Sequence, residues 1–492
     1  MNKIIFIIIT SLMICFILFS FIQFENKKSN TPYNVIIIVF DSLRADHLGS
    51  YGYNRRTSPH IDELSSKGIL FKNAFTQSSS TSLSVMSLFT GNYPSVHGVY
   101  GFKNYKLRES QRSLIEYINK NNYVTTAFIA NPVLHKNRGF SRGFDTYELN
   151  CSYLDNSPYK TDSECLNHRF SEYISKTNKP FFLYLHYLDP HYPYMPPNEF
   201  RRWSYDYEYD NHTVLYQLLD KINNGENLTS SEINSLISLY DGEIRYIDKN
   251  IEFILEELSN QGLSENTILI VTSDHGEEFL EHNYLFHGWT LYDEVIHVPL
   301  IFYGSPFNQS VIDSPVRSID ILSTILDYLD IKTNSVFNGV SLRPMIEKNE
   351  LQNLTVLSES FKGRIRENNK FSWGIIKSIR RKDHKYIYNV KITPYNLNRS
   401  EVNLKIDSFS EKADQINRNL FSQEEIKIKE ELYELPGTES ENLKIEKPTI
   451  LSIYRKDFQI MFSSIDVEDT TTNSIIKLDK KTKERLKSLG YL

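Results

Sequence analysis

Potential metal ligands follow two of the most apolar runs in the sequence. Val35 to Phe40 is a continuous apolar run rich in β-branched residues, and it ends abruptly at Asp41. A second apolar run ends at Asp274 and His275. Such runs predict buried parallel strands, and ligands of open parallel sheets bind beyond the carboxyl ends of the strands. Two carboxylates and an imidazole suit a hard or borderline divalent cation. The sequence therefore predicts that these three side chains converge on one ion; alternatively, each Asp caps a following helix.

Hydroxyl groups are concentrated in the segment 78–98, SSSTSLSVMSLFTGNYPSVHG, whose first ten positions hold six Ser and one Thr. One of these hydroxyls is a candidate nucleophile, although hydroxyl-rich segments are also typical of loops and helix caps. Histidines recur in two turns, His186 to His191 and His287-Gly288. They add candidate ligands and proton donors to the chemistry at the strand ends.

Sequence patterns typical of strands and helices alternate along the chain, and the predicted elements must position these residues. The segments 124–131, 179–194 and 298–304 have the apolar character of strands, and 113–123 reads as a helix. In the segment 240–258 the apolar residues recur at helical spacing. This alternation predicts an α/β fold in which several strand ends meet at one edge of a sheet.

The N-terminal segment 4–24 contains no charged residue and is long enough to cross a bilayer as a helix. We expect an uncleaved membrane anchor there, with a cytoplasmic tip at 1–3 and a linker at 25–33; a cleaved signal peptide is the competing interpretation. The rest of the chain is then extracytoplasmic at the cell membrane. Cys151 and Cys165 either pair in that compartment or remain free thiols.

Composition limits the classes of function. A chain of 492 residues with 40% hydrophobic residues can bury a large core and form more than one domain. Its net charge of -6, with acidic and basic residues well mixed, gives no reason to expect a nucleic-acid partner.

A series of motifs resembles the sulfatase family of the alkaline phosphatase superfamily. In chain order they are FDSLRADHLGSYGY, TSPHIDELSSKGILFKNAF, SLFTGNYPSVHGV, DPHYPY, TSDHGEEF, HGWTLYDEVIHVPL, RSIDILSTILDYLDI, NGVSLRPMI, ELYELPGTESENL and RLKSLGYL. The resemblance implies a large central, mostly parallel sheet sandwiched by helices at 34–350, which is the catalytic domain. It also implies a smaller C-terminal α+β subdomain at 351–492.

The resemblance assigns the nucleophile of the hydroxyl-rich segment to Thr81. In the sulfatase signature Cys/Ser-x-Pro-x-Arg-x-x-x-x-Thr-Gly the nucleophile lies ten residues before the Gly, which is Gly91 here. Leu83 stands in place of the signature Pro, and Val85 in place of the Arg. Sulfatases oxidise their Cys or Ser to formylglycine, an aldehyde that threonine cannot supply in the same way, so no formylglycine is expected. A Thr alkoxide can still attack phosphorus.

The chain resembles the phosphoethanolamine and phosphoglycerol transferases and the nucleotide phosphodiesterases of the superfamily, which also have Thr at this position. This similarity slightly favours phosphoryl over sulfuryl transfer. The resemblance further implies that one divalent cation (Mn, Zn, Ca or Mg) is bound by Asp41, Thr81, Asp274 and His275. Ser42 replaces a second Asp of the sulfatases, which leans the site towards Mn or Zn.

Two histidines complete the expected site. His191 and His287 match positions that contact the transferred group or protonate the leaving oxygen in sulfatases. Alternatively, Asp189 joins these two histidines in holding a second metal. The acidic cluster after the metal strand, Glu277, Glu278, Glu281 and His282, either shapes substrate access or forms a solvated helix face.

The sequence thus predicts a membrane-anchored, metal-dependent hydrolase or transferase that acts on phosphate or sulfate esters through a Thr nucleophile. The expected substrate is an anionic ester of a lipid headgroup, a glycan or a small molecule. Two alternatives remain open: a sulfuric ester hydrolase proper, and a catalytically degenerate member of the family that binds anions or glycans.

Overall fold

The computed structural model describes residues 32–100, 106–149, 151, 163–201, 217–218, 220–221, 226–350, 352, 354–367, 370–393, 425–435, 439, 442–443 and 446–463. The expected tip at 1–3 and anchor at 4–24, and most of the linker at 25–33, lie outside these residues. Within the described ranges, no helix is both long enough and apolar enough to span a bilayer. Cys151 and Cys165 form a disulfide, so the first of the two sequence-based alternatives for these residues is the one observed.

The strands of the described part are numbered here in chain order. They are β1 (Asn34–Phe40), β2 (Ile69–Phe71), β3 (Ala74–Phe75), β4 (Val124–Ile129), β5 (Thr146–Glu148), β6 (Phe181–Tyr187), β7 (Thr267–Ser273), β8 (Glu278–Phe279), β9 (Leu285–Phe286), β10 (His297–Val298), β11 (Leu300–Tyr303), β12 (Ser310–Ile312), β13 (Val316–Arg317), β14 (Val356–Glu367), β15 (Lys370–Arg380), β16 (His384–Thr393) and β17 (Glu425–Glu434).

The α-helices are numbered in the same way. They are α1 (Pro59–Lys67), α2 (Thr81–Thr90), α3 (Pro94–His97), α4 (Ile115–Lys120), α5 (Ser163–Ile174), α6 (Ser230–Asn260), α7 (Asp293–Ile296), α8 (Asp320–Tyr328), α9 (Arg343–Lys348) and α10 (Pro448–Ser463).

An eight-stranded sheet in the order β12-β2-β11-β7-β1-β6-β4-β5 forms the centre of the larger domain. The five strands from β7 to β5 are mutually parallel, and β11 runs antiparallel to both of its neighbours. The large, mostly parallel sheet that the sequence predicts is therefore confirmed. Since β7, β1, β6 and β4 are adjacent and parallel, the residues that follow them emerge at one edge.

Both faces of this sheet are covered, which explains why its central strands are apolar at every position. Val35, Ile37 and Val39 of β1 belong to a core that includes residues of α2, α4 and α8. The alternate residues of β1 belong to a second core with residues of α1, α5 and α6. The central strand is thus packed between two helical layers, and this packing fixes the position of its carboxyl end, which Asp41 follows.

The smaller C-terminal part contains a four-stranded antiparallel sheet, β14-β15-β16-β17, and helix α10. A buried ion cluster joins it to the larger domain: both Arg380 and Lys385 contact the Asp293 carboxylate, at 2.7 and 2.8 Å. Strand β14 also contacts the chain just before the hydroxyl-rich segment, since the backbone N–H of Glu359 donates to the Gln77 carbonyl at 2.8 Å. The C-terminal sheet therefore lies against the loop that leads into the site.

Candidate active site

Asp41, Asp274 and His275 meet at the carboxyl edge of the sheet. Asp41 directly follows β1, and Asp274 and His275 directly follow the adjacent strand β7. One ligand atom from each side chain lies within 4.8 Å of the other two, and all three residues are buried. The structure thus brings together the three residues that the sequence predicts to converge.

The Asp274 carboxylate is oriented by the backbone. Its Oδ1 atom accepts hydrogen bonds from the N–H groups of Ser42, at 3.2 Å, and His275, at 2.9 Å. Its Oδ2 atom has no hydrogen-bond partner among the described residues, although it is buried. This atom lies 3.5 Å from His275 Nε2. Burial, together with the charge of Asp41, raises the pKa of Asp274 to about 7.

Asp41 has partners on both of its oxygens. Oδ2 accepts hydrogen bonds from Asn131 Nδ2, at 2.6 Å, and His186 Nε2, at 3.1 Å. Oδ1 accepts from Ser42 Oγ at 3.2 Å and lies 3.8 Å from His275 Nε2. Burial raises the pKa of Asp41, but the hydrogen bond from His186 and the nearby imidazoles outweigh burial and hold the pKa well below its usual range.

Ser42 connects the two carboxylates through an uncommon backbone conformation. Its φ angle is 65°, in the left-handed region that non-glycine residues adopt only where the surrounding structure enforces it. In this conformation the Ser42 N–H points to Asp274 and its hydroxyl to Asp41. Ser42 therefore orients the two acidic ligands, at the position where the sulfatase motif has a second Asp.

These groups fit a divalent cation. Two carboxylates buried side by side repel each other unless a positive charge lies between them. Asp274 Oδ2 and Asp41 Oδ1 lie 3.5 and 3.8 Å from His275 Nε2, and Asp274 Oδ2 has no hydrogen-bond partner among the described residues. The donor set of two oxygens and one imidazole nitrogen is suitable for a divalent metal.

Thr81 is the first residue of helix α2, with Ser80 at the N-cap. Its Oγ1 atom lies 3.1 Å from His275 Nε2, and the residue is 1% exposed. At the other end of α2, Gly91 adopts a φ of 65°, which closes the helix. Val85, which stands in place of the signature Arg, packs in the apolar core beneath α2. The N-terminal part of the hydroxyl-rich segment is thus a buried helix. One of its hydroxyls, that of Thr81, is close to the candidate metal-ligand cluster formed by Asp41, Asp274 and His275.

His191 and His287 lie beside this cluster. The ring centroid of His287 is 4.2 Å from that of His275 and 4.9 Å from that of His191. His287 Nδ1 lies 2.8 Å from Oε1 of Glu277, and His191 Nδ1 donates to the Tyr192 carbonyl. Burial lowers the pKa of both imidazoles, that of His287 to about 4, and raises the pKa of Glu277 to about 7.

Asp189 does not join His191 and His287 in a three-residue metal cluster. Among the described residues, Asp41, Asp274 and His275 are the one such group whose ligand atoms approach within 4.8 Å of one another. The Asp189 carboxylate instead accepts a hydrogen bond from the Ser163 hydroxyl. The geometry gives no support to a second metal at this position.

The acidic segment after β7 differs from one of its sequence-based interpretations. Glu277 and Glu278 are both 0% exposed, and Glu278 begins the short strand β8. They therefore do not form a solvated helix face. Glu281 accepts a hydrogen bond from Arg44 at 2.6 Å, which is a packing role.

Sequence reasoning missed the contacts of three residues at this site: Asn131, His186 and Glu277. Asn131 follows strand β4, as Asp41 follows β1, so its position beyond a buried parallel strand was a usable signal. His186 lies within the buried strand β6, where a polar side chain among apolar residues requires a partner. The sequence contains no equivalent signal for the pairing of Glu277 with His287.

A family model described as Sulfatase matches residues 33–331, which is more than half of the 492-residue chain. The chain belongs to the sulfatase family. It is 27% identical to human iduronate 2-sulfatase (Homo sapiens) over 343 residues, an alignment that covers 57% of this chain and 61% of that enzyme.

Solved structures share the sulfatase-like fold. A putative sulfatase from Bacteroides thetaiotaomicron superposes with a TM-score of 0.66 at 20% identity, covering 92% of this chain and 96% of the other. A phosphonate monoester hydrolase from Agrobacterium radiobacter superposes with a TM-score of 0.64 at 17% identity, covering 87% and 95%. Proteins named for sulfur and for phosphorus chemistry thus both occur among the structures with this fold.

Proposed function

We propose that this chain is a metal-dependent hydrolase or transferase that acts on phosphate or sulfate esters with Thr81 as its nucleophile. The observation that carries the proposal is the 3.1 Å distance between Thr81 Oγ1 and His275 Nε2. It places the hydroxyl beside a buried pair of carboxylates and one imidazole. A divalent cation held by Asp41, Asp274 and His275 would lower the pKa of the Thr81 hydroxyl and neutralise charge on the transferred group.

Thr81 attacks the central atom of the ester. The Thr81 hydroxyl gives its proton to water and a bond forms between Thr81 Oγ1 and phosphorus. The bond between phosphorus and the ester oxygen breaks, and that oxygen takes a proton as it leaves. His191 and His287 are the candidate donors, since both lie beside the metal-ligand cluster. Water or an acceptor alcohol then attacks the phosphothreonine and gives its proton to the histidine that protonated the leaving oxygen. The bond between phosphorus and Thr81 Oγ1 breaks, and Oγ1 takes a proton from water to restore the free hydroxyl. The N-terminus of α2 contributes a partial positive charge next to the transferred anion.

The nature of the nucleophile favours phosphoryl transfer. The sulfate-ester route of sulfatases uses an aldehyde, and a threonine does not provide one in the same way. A phosphothreonine needs no aldehyde, because water can attack phosphorus directly. Hydrolysis of sulfate esters is the second candidate function, and similarity to iduronate 2-sulfatase supports it. An anionic lipid headgroup, a glycan or a small ester suits either function.

A degenerate, binding-only protein is the third candidate. It is suggested by Val85, which leaves the site without the signature Arg. The convergence of Thr81 with all three predicted protein ligands argues against it, because a protein without turnover has no need of a nucleophile in this position.

We further propose that residues 4–24 anchor the chain in the cell membrane and that the catalytic domain lies outside the cytoplasm. The apolar sequence of that segment supports this proposal. The disulfide between Cys151 and Cys165 also supports it, because structural disulfides persist mainly in oxidising compartments.

A substrate panel tests the function. The metal-loaded protein is assayed with 4-nitrophenyl phosphate, bis(4-nitrophenyl) phosphate and 4-nitrophenyl sulfate, alongside Thr81→Ala. Thr90→Ala is the matched control, since Thr90 is a buried threonine at the opposite end of the same helix. We expect Thr81→Ala to lose about 10³-fold or more in kcat on a phosphorus ester and Thr90→Ala to stay near wild type. Turnover of the sulfate ester alone would favour the second candidate.

A further inference from the structure

The hydrogen bonds around Asp41 and Asp274 limit each carboxylate to one oxygen for metal binding. A carboxylate oxygen has two lone-pair positions, and each acidic residue here has one oxygen that accepts two hydrogen bonds. For Asp274 this is Oδ1, which accepts from two backbone N–H groups. For Asp41 it is Oδ2, which accepts from the side chains of Asn131 and His186.

The remaining oxygens are the ones directed at His275. Asp41 Oδ1 and Asp274 Oδ2 lie 3.8 and 3.5 Å from His275 Nε2. Asp41 Oδ1 has one lone-pair position occupied by the Ser42 hydroxyl, and Asp274 Oδ2 has no hydrogen-bond partner among the described residues. With Thr81 Oγ1, these side chains offer four single-atom ligands.

A relay of buried side chains holds Asp41 in this state. The Tyr184 hydroxyl lies 2.8 Å from His186 Nδ1, and the other ring nitrogen, Nε2, carries a proton because it faces the Asp41 carboxylate, which can only accept. That Nε2–H then donates to Asp41 Oδ2. Asn131 is fixed in turn, since its Oδ1 accepts the N–H of Val133 at 2.9 Å. Both donors to Asp41 are thus positioned by further contacts within the fold.

We propose that Asn131 and the Tyr184–His186 relay are metal-selectivity residues, which hold Asp41 monodentate and so make the site select a small transition-metal dication, Mn²⁺ or Zn²⁺, over Ca²⁺. Ca²⁺ takes six to eight oxygen ligands and often uses bidentate carboxylates. Four single-atom ligands that include an imidazole suit Zn²⁺ or Mn²⁺ better. The inference rests on the proposed function only in that it uses the same cation site.

The test measures metal binding without substrate. Metal-free protein is titrated with Mn²⁺ and with Ca²⁺ by calorimetry, for wild type, Asn131→Ala and Asn119→Ala. Asn119 is the matched control, because its Nδ2 donates to Asp145 at 2.7 Å in an equivalent pair outside the site. We expect wild type and Asn119→Ala to prefer Mn²⁺. Asn131→Ala should lose about tenfold or more in Mn²⁺ affinity, a typical cost of removing a hydrogen bond to a metal ligand, and less in Ca²⁺ affinity.

Two outcomes overturn the inference: a wild-type preference for Ca²⁺, or a Kd ratio of the two ions that Asn131→Ala leaves unchanged. If Asn131→Ala does not fold, Tyr184→Phe replaces it, since this variant removes one hydroxyl from the relay and should shift the ratio less but in the same direction. An unchanged ratio in that variant overturns the inference equally. Absence of turnover in the substrate panel bears on the proposed function alone, because these titrations contain no substrate.

Discussion

His287 Nδ1 lies 2.8 Å from Oε1 of Glu277; the Glu277 side chain is fully buried and that of His287 is 11% exposed. This hydrogen bond fixes the orientation of the imidazole ring, so that Nε2 is directed away from Glu277. His191 has a different partner, because its Nδ1 donates to a neutral backbone carbonyl. Burial raises the pKa of Glu277 to about 7 and lowers that of His287 to about 4, so a neutral Glu277 carboxyl donates to His287 Nδ1 and the ring proton lies on Nε2. In His191 the proton lies on Nδ1, which faces the carbonyl. The geometry therefore favours His287 over His191 as the donor to the leaving oxygen.

This assignment predicts a dependence on the leaving group. A 4-nitrophenolate leaves without protonation, whereas an alkoxide needs a proton. We expect His287→Ala to lower kcat/KM for an alkyl ester by about 10²- to 10⁴-fold and for the 4-nitrophenyl ester much less. Glu277→Gln retains a hydrogen-bond donor for His287 Nδ1 and should lose less than Glu277→Ala. Equal losses on both esters would show that His287 binds the substrate rather than protonating it.

Metal removal should destabilise the protein, and Asp274→Asn should make the metal-free protein more stable than metal-free wild type. Without the cation, two carboxylates lie buried side by side, and the raised pKa of Asp274, about 7, reflects that cost. Asp274→Asn removes one charge, so the metal-free variant should unfold at a higher temperature than metal-free wild type. Wild type should gain about 2.7 kcal/mol when the free metal is at 100 times its Kd.

The thermal unfolding of wild type and Asp274→Asn is measured with a chelator present, for the metal-free proteins, and with the metal present, for the metal-bound proteins. The variant should lose most of the metal-dependent shift, because one ligand charge is absent. A metal-free variant that is less stable than metal-free wild type would show that the Asp274 carboxylate is stabilising without a cation. That result would contradict the expected repulsion between the two carboxylates.

Glu278 should make stability fall as pH rises. Burial raises the pKa of Glu278 to about 8 in the folded state, above its ordinary value of about 4.3. Between these values the folded protein holds a proton that the unfolded chain has lost, so the free energy of unfolding decreases by at most about 1.4 kcal/mol per pH unit. Glu278→Gln removes this contribution, and its stability relative to wild type should increase from about pH 5 to pH 8.

Denaturant unfolding at several pH values measures this difference. The exposed Glu265 provides the control, and Glu265→Gln should change the free energy of unfolding little at any pH. A difference between Glu278→Gln and wild type that is constant with pH would contradict a protonated Glu278 in the folded state.

The sequence predicts the fold and the metal-ligand cluster because both follow from local patterns. Apolar runs identify the buried strands, and parallel strands necessarily end at a common edge, which brings Asp41 and Asp274 together. The boundaries are less predictable: the helix expected at 113–123 is observed at Ile115–Lys120, because the first and last turns of a helix depend on tertiary contacts.

The surrounding hydrogen bonds are not predictable in the same way. Asn131 is a residue type common in turns, and its contact with Asp41 joins residues 90 positions apart. Glu277 and Glu278 resemble a solvated pair in sequence, and their burial results from the fold around them. Strand ends thus reveal the candidate metal ligands, whereas the groups that orient those side chains require the three-dimensional structure.

The most direct test of Thr81 as the nucleophile is the mass of the peptide that contains it, after a reaction of the metal-loaded protein with a phosphate monoester and a brief acid quench. We expect a gain of about 80 Da on Thr81, the mass of a transferred phosphoryl group, that is lost on longer incubation and absent in Thr81→Ala. Turnover that persists in Thr81→Ala, with no covalent adduct on the wild-type peptide, would contradict this role of Thr81.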